Sequence, residues 1–137
     1  MDHDHQTRWG RQVTEDLKGP YRDLRDAIPD VLAGYAELHR AAMGDGALPA
    51  KTKELIALAV AITRECDGCI AAHARGAFRR GASDAEVAEM IGVAVMMNGG
   101  PGTVWGPRAL AAYREAAAPP ADVAPVVPPP ADGPAPG

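Results

Sequence analysis

An apolar run of eight residues, Leu55 to Ile62, sets the strongest limit on the fold of this chain. The run lies in a stretch from Lys51 to about Glu65 whose apolar residues fall at helical spacing. A helix that is apolar almost all round needs packing partners on several sides, so we expect it to be central. The run is far shorter than the roughly 20 residues of a membrane span, and no membrane partner is expected.

Glycine and proline divide the rest of the sequence into short helical segments. The clearest breaks are Gly19-Pro20, Gly44-Asp45-Gly46 and the stretch 98–102. No strand-like alternation persists, so the pattern predicts an all-α domain over residues 11–117. The first ten residues are expected to be flexible, and the Pro/Ala-rich residues 118–137 are expected to form a disordered tail. The predicted helices cover 11–18, 21–27, 29–43, 51–65, the cysteine pair to 80, 83–97 and 106–117.

Composition supports closely packed helices and excludes some partners. Hydrophobic residues make up 47% of the 137 residues but aromatic residues only 4%, so alanine and the aliphatic residues must build the core. Methionines 90, 96 and 97 are interpreted as packing residues. The net charge of −4 and the lack of a basic stripe argue against a nucleic-acid partner. The polar, acidic start does not resemble a signal peptide, which predicts a cytoplasmic protein.

The only two cysteines, Cys66 and Cys69, are three residues apart. On a helix these positions are neighbours on one face, and their Cα atoms can fall within the roughly 4.4–6.8 Å that a disulfide needs. Asp67 and Gly68 suit the start of a helix, where amide donors and the helix dipole lower a thiol pKa. His73 follows one turn later on the same face and can exchange a proton with the Cys69 sulfur.

Glu54 stands twelve residues before Cys66, at the polar end of the apolar helix. The bland interpretation is a first-turn glutamate that complements the helix dipole. His39 is interpreted as a helix histidine, with a ligand or supporting role as the alternative. In a reducing cytosol a lone cysteine pair is more often catalytic or metal-binding than structural, so the pattern favours thiol redox chemistry.

Taken together, these residues resemble the alkyl hydroperoxidase D-like branch of the carboxymuconolactone decarboxylase family. The matching motif is Glu54-x11-Cys66-x2-Cys69-x3-His73. Leu48-Pro49, the apolar run and Gly81 accompany it, and the likeness extends over about residues 29–117. Some members carry a histidine directly before the second cysteine, where this chain has Gly68.

The resemblance implies an all-helical bundle that assembles as trimers or hexamers. It implies that Cys69 is the peroxidatic nucleophile, Cys66 the resolving cysteine, and Glu54 and His73 a proton relay. The implied function is an antioxidant thiol-dependent peroxidase or disulfide oxidoreductase. Its partners would be a peroxide substrate and an external dithiol or thioredoxin-like reductant, with no metal or organic cofactor. The founding lactone decarboxylases generally lack the cysteine pair, which argues against their reaction here.

Three alternatives remain open at the level of sequence. The two cysteines, His73 and either Glu54 or His39 could form a four-ligand zinc site, although no second short-spaced Cys or His pair is present. The cysteine pair could instead act as a redox sensor or a staple in a non-catalytic helical oligomer. The same fold could also carry a decarboxylation or isomerisation that does not need Cys69.

Overall fold

The computed structural model describes residues 8–119, and the predictions for residues 1–7 and 120–137 lie outside them. The described residues form six helices and no strand, which confirms the all-α prediction. The helices are α1 (Arg11–Ala27), α2 (Pro29–Met43), α3 (Ala50–Thr63), α4 (Asp67–Arg79), α5 (Asp84–Asn98) and α6 (Gly100–Ala117).

Several helix ends follow directly from local sequence chemistry. Pro29 stands in the first turn of α2, where its missing N–H would have no helical partner. Ser83 and Glu86 form the predicted capping box at the start of α5. The hydrogen bond that the Ser83 N–H donates to Glu86 lowers the pKa of that carboxyl. Gly81 follows α4 with a φ of 86°, a left-handed conformation that favours glycine.

The predicted break at Gly19-Pro20 is wrong, because α1 continues through both residues to Ala27. A proline inside a helix removes one backbone hydrogen bond and crowds the preceding turn, so the helix bends or ends there. Here α1 is exposed along this stretch, so the carbonyl that loses its partner can be solvated. The cost is then small enough for the helix to persist.

The last helix begins at Gly100, six residues before the predicted start. A single residue, Gly99 with a φ of 68°, separates it from α5. Pro101 lies in the first turn of α6, where proline is tolerated. A Cβ at Gly102 would stand 2.9 Å from the Cα of Val95, so this glycine permits close packing of α5 against α6. The Gly-rich sequence that suggested a loop is therefore a contact between helices.

Helices α3 to α6 pack around one core, and α6 contacts each of the other three. Seven of the twelve buried residues in this core are alanines, which lets the helix axes approach closely. The expectation of an alanine-built core is confirmed. The largest fully buried side chains are Leu58, Ile62, Ile70 and Val87.

Helix α3 is less enclosed than its sequence predicted. Leu58 and Ile62 are fully buried, but Ile56 and Val60 on the same helix are 49% and 53% exposed. The helix contacts α4, α5 and α6 and, to a smaller extent, α2, yet part of its apolar surface stays open in the single chain. Helices α1 and α2 carry no buried residue and lie outside the core.

The folded region begins before the predicted boundary at residue 11. Trp9 packs against the core, and the Arg108 guanidinium lies 4.3 Å from the ring centres of both Trp9 and Trp105. The buried Gly10 N–H donates a hydrogen bond to the Glu115 carboxylate. Local sequence patterns do not predict this contact, because its partners are 105 residues apart.

Within residues 8–119, every helix is too short or too polar to cross a bilayer.

Candidate active site

The cysteine pair lies at the start of α4 and is closed into a disulfide. The two Cα atoms are 5.3 Å apart, which confirms that helical spacing places the sulfurs within bonding reach. Cys66 is the residue that caps the helix, and its Sγ accepts a hydrogen bond of 3.3 Å from the Cys69 N–H. Cys69 is exposed and Cys66 half-buried, so Cys69 is the more accessible residue of the pair.

A tight corner between α3 and α4 fixes where this pair stands. Glu65 has a φ of 55°, an unusual left-handed conformation for a residue with a side chain. The Glu65 N–H donates to the Ile62 carbonyl, and the Cys66 N–H donates to the Ala61 carbonyl. Both bonds satisfy carbonyls at the end of α3, as in a helix cap that usually uses glycine. Only three residues therefore separate the two helices.

The start of α4 is an electrostatically favourable place for a thiolate. The unpaired amide groups of the first helical turn carry partial positive charge, which stabilises an anion. One of them, the Cys69 N–H, already points at the Cys66 sulfur. The Gly68 N–H is 2.6 Å from the Asp67 carboxylate. The Cys66 sulfur, once reduced, would keep the Cys69 N–H beside it as a backbone donor.

Glu54 and His73 meet across the α3–α4 interface. Nδ1 of His73 is 2.8 Å from Oε2 of Glu54, and their side chains are 20% and 11% exposed. His73 lies one helical turn after Cys69, so Cys69 and the imidazole belong to the same face of α4. All four residues singled out from sequence are thus on two adjoining helices. Their catalytic roles stay predictions.

His39 lies close to this pair without bonding to it. Its ring stacks on the ring of His73, with centroids 6.2 Å apart and planes inclined by 15°. Residue 39 is itself exposed on α2. The structure therefore places His39 against the outer face of His73, where it limits the positions of that imidazole.

Gly76 is a part of the site that sequence reasoning missed. A Cβ on this residue would stand 2.5–2.6 Å from the carboxylate atoms of Glu54. No side chain fits there, so the carboxylate occupies the space that a residue at position 76 would fill. The available signal was a glycine inside a helix, three residues after His73, where alanine is normally preferred.

Among the side chains that the structure describes, no three from His, Cys, Asp or Glu are grouped so as to hold a metal ion.

We predict that Gly76→Ala disrupts the Glu54–His73 contact and lowers the free energy of unfolding by about 1–3 kcal/mol. Gly92→Ala is the matched control, because a Cβ at Gly92 on α5 meets nothing within 4 Å. That control should instead stabilise by about 0.5–1 kcal/mol, the ordinary gain of alanine over glycine in a helix. Urea unfolding of both variants measures these changes in the free energy of unfolding. Equal stabilisation by both would mean that Glu54 does not need this space.

Relatives of known sequence resemble the chain over most of its helical part. An uncharacterized protein of Cupriavidus necator is 38% identical over 90 residues, which are 66% of this chain and 80% of that protein. An uncharacterized protein of Haemophilus influenzae is 44% identical over 71 residues, 52% of this chain and 62% of the relative. A third, from Paracoccus denitrificans, is described as uncharacterized protein 4 in the cox locus and is 40% identical over 81 residues, 59% of this chain and 73% of the relative.

A solved structure and a family model agree with this likeness. The crystal structure of an apo carboxymuconolactone decarboxylase family protein from Legionella pneumophila superposes with a TM-score of 0.75 at 37% identity. The matched region covers 78% of this chain and 96% of the other chain. The model of the carboxymuconolactone decarboxylase family matches residues 29–118, and the Cys66–Cys69 pair fits the alkyl hydroperoxidase D-like branch. This chain therefore belongs to the carboxymuconolactone decarboxylase family.

Proposed function

We propose that this protein is a thiol-dependent peroxidase and disulfide oxidoreductase with an antioxidant role. The observation that carries the proposal is the hydrogen bond between Glu54 and His73. His73 follows Cys69 by one helical turn, and Cys69 is spaced so that it can form a disulfide with Cys66. A structural disulfide has no use for an adjoining acid/base pair, whereas a reactive thiol needs one. The proposal places the protein in the cytoplasm, where thiol reductants restore the dithiol.

The proposed reaction begins with the reduced protein. The Cys69 thiolate attacks the terminal oxygen of a hydroperoxide, so an S–O bond forms and the O–O bond breaks. The alkoxide that leaves takes a proton and departs as an alcohol. Cys66 then attacks the sulfur of the Cys69 sulfenic acid, so an S–S bond forms and the S–O bond breaks, and the hydroxide that leaves takes the proton given up by the Cys66 thiol and departs as water. An external dithiol or thioredoxin-like donor supplies two electrons and two protons by thiol–disulfide exchange.

His73 has the role of proton carrier in this scheme. When its Nδ1–H is donated to Glu54, the second ring nitrogen is left to accept a proton. It would take the proton of the Cys69 thiol and later return it to the leaving oxygen. Glu54 would hold the ring in this tautomer and stabilise the imidazolium that forms. Because the carboxylate is largely buried, water competes little for the hydrogen bond.

We predict that Cys69→Ser abolishes the reaction of the reduced protein with an alkyl hydroperoxide. Cys66→Ser should still react once, because it retains the nucleophile and lacks only the partner that traps the sulfenic acid. Stopped-flow mixing, with mass spectrometry of the products, distinguishes the two variants. A sulfenic acid on Cys66 in the Cys69→Ser protein would reverse the assigned roles. Substrate turnover that survives Cys69→Ser would favour a decarboxylation or isomerisation instead.

The proton relay gives a second prediction. In a Cys66→Ser background with one thiol, Glu54→Gln and His73→Gln should each slow iodoacetamide alkylation of Cys69 by about tenfold or more at neutral pH. Without the Glu54–His73 pair, a smaller fraction of Cys69 would be present as thiolate. Mass spectrometry of timed samples gives the rate.

Glu115→Gln is the control for these variants. Glu115 is as buried as Glu54, but its carboxylate accepts hydrogen bonds from the Gly10 and Arg11 N–H groups, away from the cysteines. Its replacement should lower stability and leave the alkylation rate unchanged. Unchanged rates in the Glu54 and His73 variants would favour a redox sensor or staple over an enzyme.

Self-association is a further part of the proposal. Large apolar side chains are at least half exposed on α2, α3 and α5, including Leu38, Val60 and Met97 at 65%, 53% and 74%. Such surface is more than a small soluble monomer usually leaves in water. We therefore expect a homo-oligomer, a trimer or a hexamer. Light scattering at micromolar concentration should give a multiple of the 14.2 kDa chain mass, and a monomeric mass would contradict this expectation.

A further inference from the structure

A groove between α1 and α4 is lined in part by Gly68, the residue that precedes Cys69, and has no role in the chemistry described above. Its volume is about 640 Å³, within the roughly 300–1,000 Å³ range of small-molecule sites. Besides Gly68, its lining includes aliphatic, aromatic and cationic side chains, among them Leu17, Lys18, Tyr21, Arg22, Arg25 and Arg75.

The charge of this groove differs from that of the whole protein. Four of its lining residues are cationic and none is acidic, although the chain carries a net charge of −4. Lys18, Arg22 and Arg25 are spaced by four and three residues, so they form one stripe along α1. A local excess of positive charge in a concave site attracts anions. The groove therefore selects for a ligand with a negative group.

Only part of this positive charge is neutralised by the protein. Lys18 is paired with Glu15, and Arg25 with Asp26 at 3.6 Å, both on the exposed surface of α1. For Arg22 and Arg75, no ion pair occurs within residues 8–119. Arg22 is thus the member of the α1 stripe that is most available for an anionic ligand.

The groove also has an apolar part, which includes Leu17 and Tyr21. Leu17 lies directly over Gly68, since its Cδ1 is 2.9 Å from where a Cβ on that glycine would stand. Tyr21 continues the same face of α1, and both side chains are about half exposed. From Leu17 to Arg25 the helix rises about 12 Å, roughly the length of an extended chain of ten carbon atoms.

We propose that this groove binds the hydroperoxide of a medium-chain carboxylic acid. The peroxide group lies at the Cys69 end, the hydrocarbon lies along Leu17 and Tyr21, and the carboxylate lies against Arg22 and Arg25. The inference rests on the proposed peroxidase function, because it names the substrate class of that site. Reduction follows the same balanced steps, with the hydroxy acid as the product that leaves the groove.

The test compares one ten-carbon acid hydroperoxide with its methyl ester, so that only the charge differs. In stopped-flow oxidation of the reduced protein, the acid should react about tenfold faster than the ester at low salt. The ratio should fall toward one in 0.5 M salt, because exposed charges are screened. Equal second-order rate constants for acid and ester at low salt would overturn the proposal.

Variants of charged residues test whether the faster reaction of the acid depends on the groove. Arg22→Gln with Arg25→Gln should reduce the acid-to-ester ratio to about two or less. Arg79→Gln with Arg80→Gln is the matched control, since it also removes two charges, from exposed residues outside the groove. It should keep the ratio of the unmodified protein. A ratio that persists in the double variant, or that falls equally in the control, would assign the preference to overall charge instead.

A binding measurement separates this inference from the proposed function. The corresponding hydroxy acid, which cannot oxidise a thiol, should bind the disulfide form more tightly than its methyl ester in isothermal titration calorimetry. If neither hydroperoxide oxidises the reduced protein, the peroxidase proposal fails, and the calorimetry still decides whether the groove holds an anionic acyl chain. Absence of binding to the unmodified protein, as when a second copy covers the groove, would refute the inference.

Discussion

The hydrogen bond between Glu54 and His73 depends on how closely α3 approaches α4, and the rest of the site depends on that approach. The carboxylate fits because Gly76 offers no side chain and because the neighbouring core is built largely from alanine. A bulkier residue in either place would separate the helices and expose the carboxylate to water. The chain has many small residues and few aromatic ones, so its helices can pack closely. This close packing sets the geometry of the Glu54–His73 pair.

Charge and shape are arranged differently on the two sides of the cysteine pair. On the inner side, a buried carboxylate and an imidazole face each other across two helices. On the outer side, the exposed helix α1 carries a cationic stripe over an open groove. The inner side suits proton transfer, which needs few water molecules and fixed partners. The outer side suits the capture of a charged molecule from solution, which needs access.

Local rules predicted those parts of the structure whose causes are local. The start of α2 at Pro29, the capping box at Ser83 and the approach of Cys66 to Cys69 all follow from spacing within one turn. The break expected at Gly19-Pro20 and the loop expected before Gly106 were wrong, because packing and solvation decided whether those residues stayed helical.

The space for Glu54 beside Gly76 and the tether of Gly10 to Glu115 join residues that are distant in the sequence. No single-turn pattern encodes such contacts. The family motif nevertheless placed Glu54 and His73 on one site, because it combines positions from two helices. What it did not contain was any information on α1, which lies before the matched residues 29–118.

Cys66 caps α4 and Cys69 lies in the first turn of that helix, and this bears on how the protein communicates its redox state. The Cα separation of 5.3 Å is close to what a helix gives to residues three apart, with or without a bond between the sulfurs. Oxidised and reduced forms should then share one backbone, framed by the short corner at Glu65. A partner that distinguishes them has no altered surface to recognise and must contact the sulfur atoms themselves. Signalling by reshaped surfaces is thus a poor fit to this architecture, while direct exchange of electrons is a natural one.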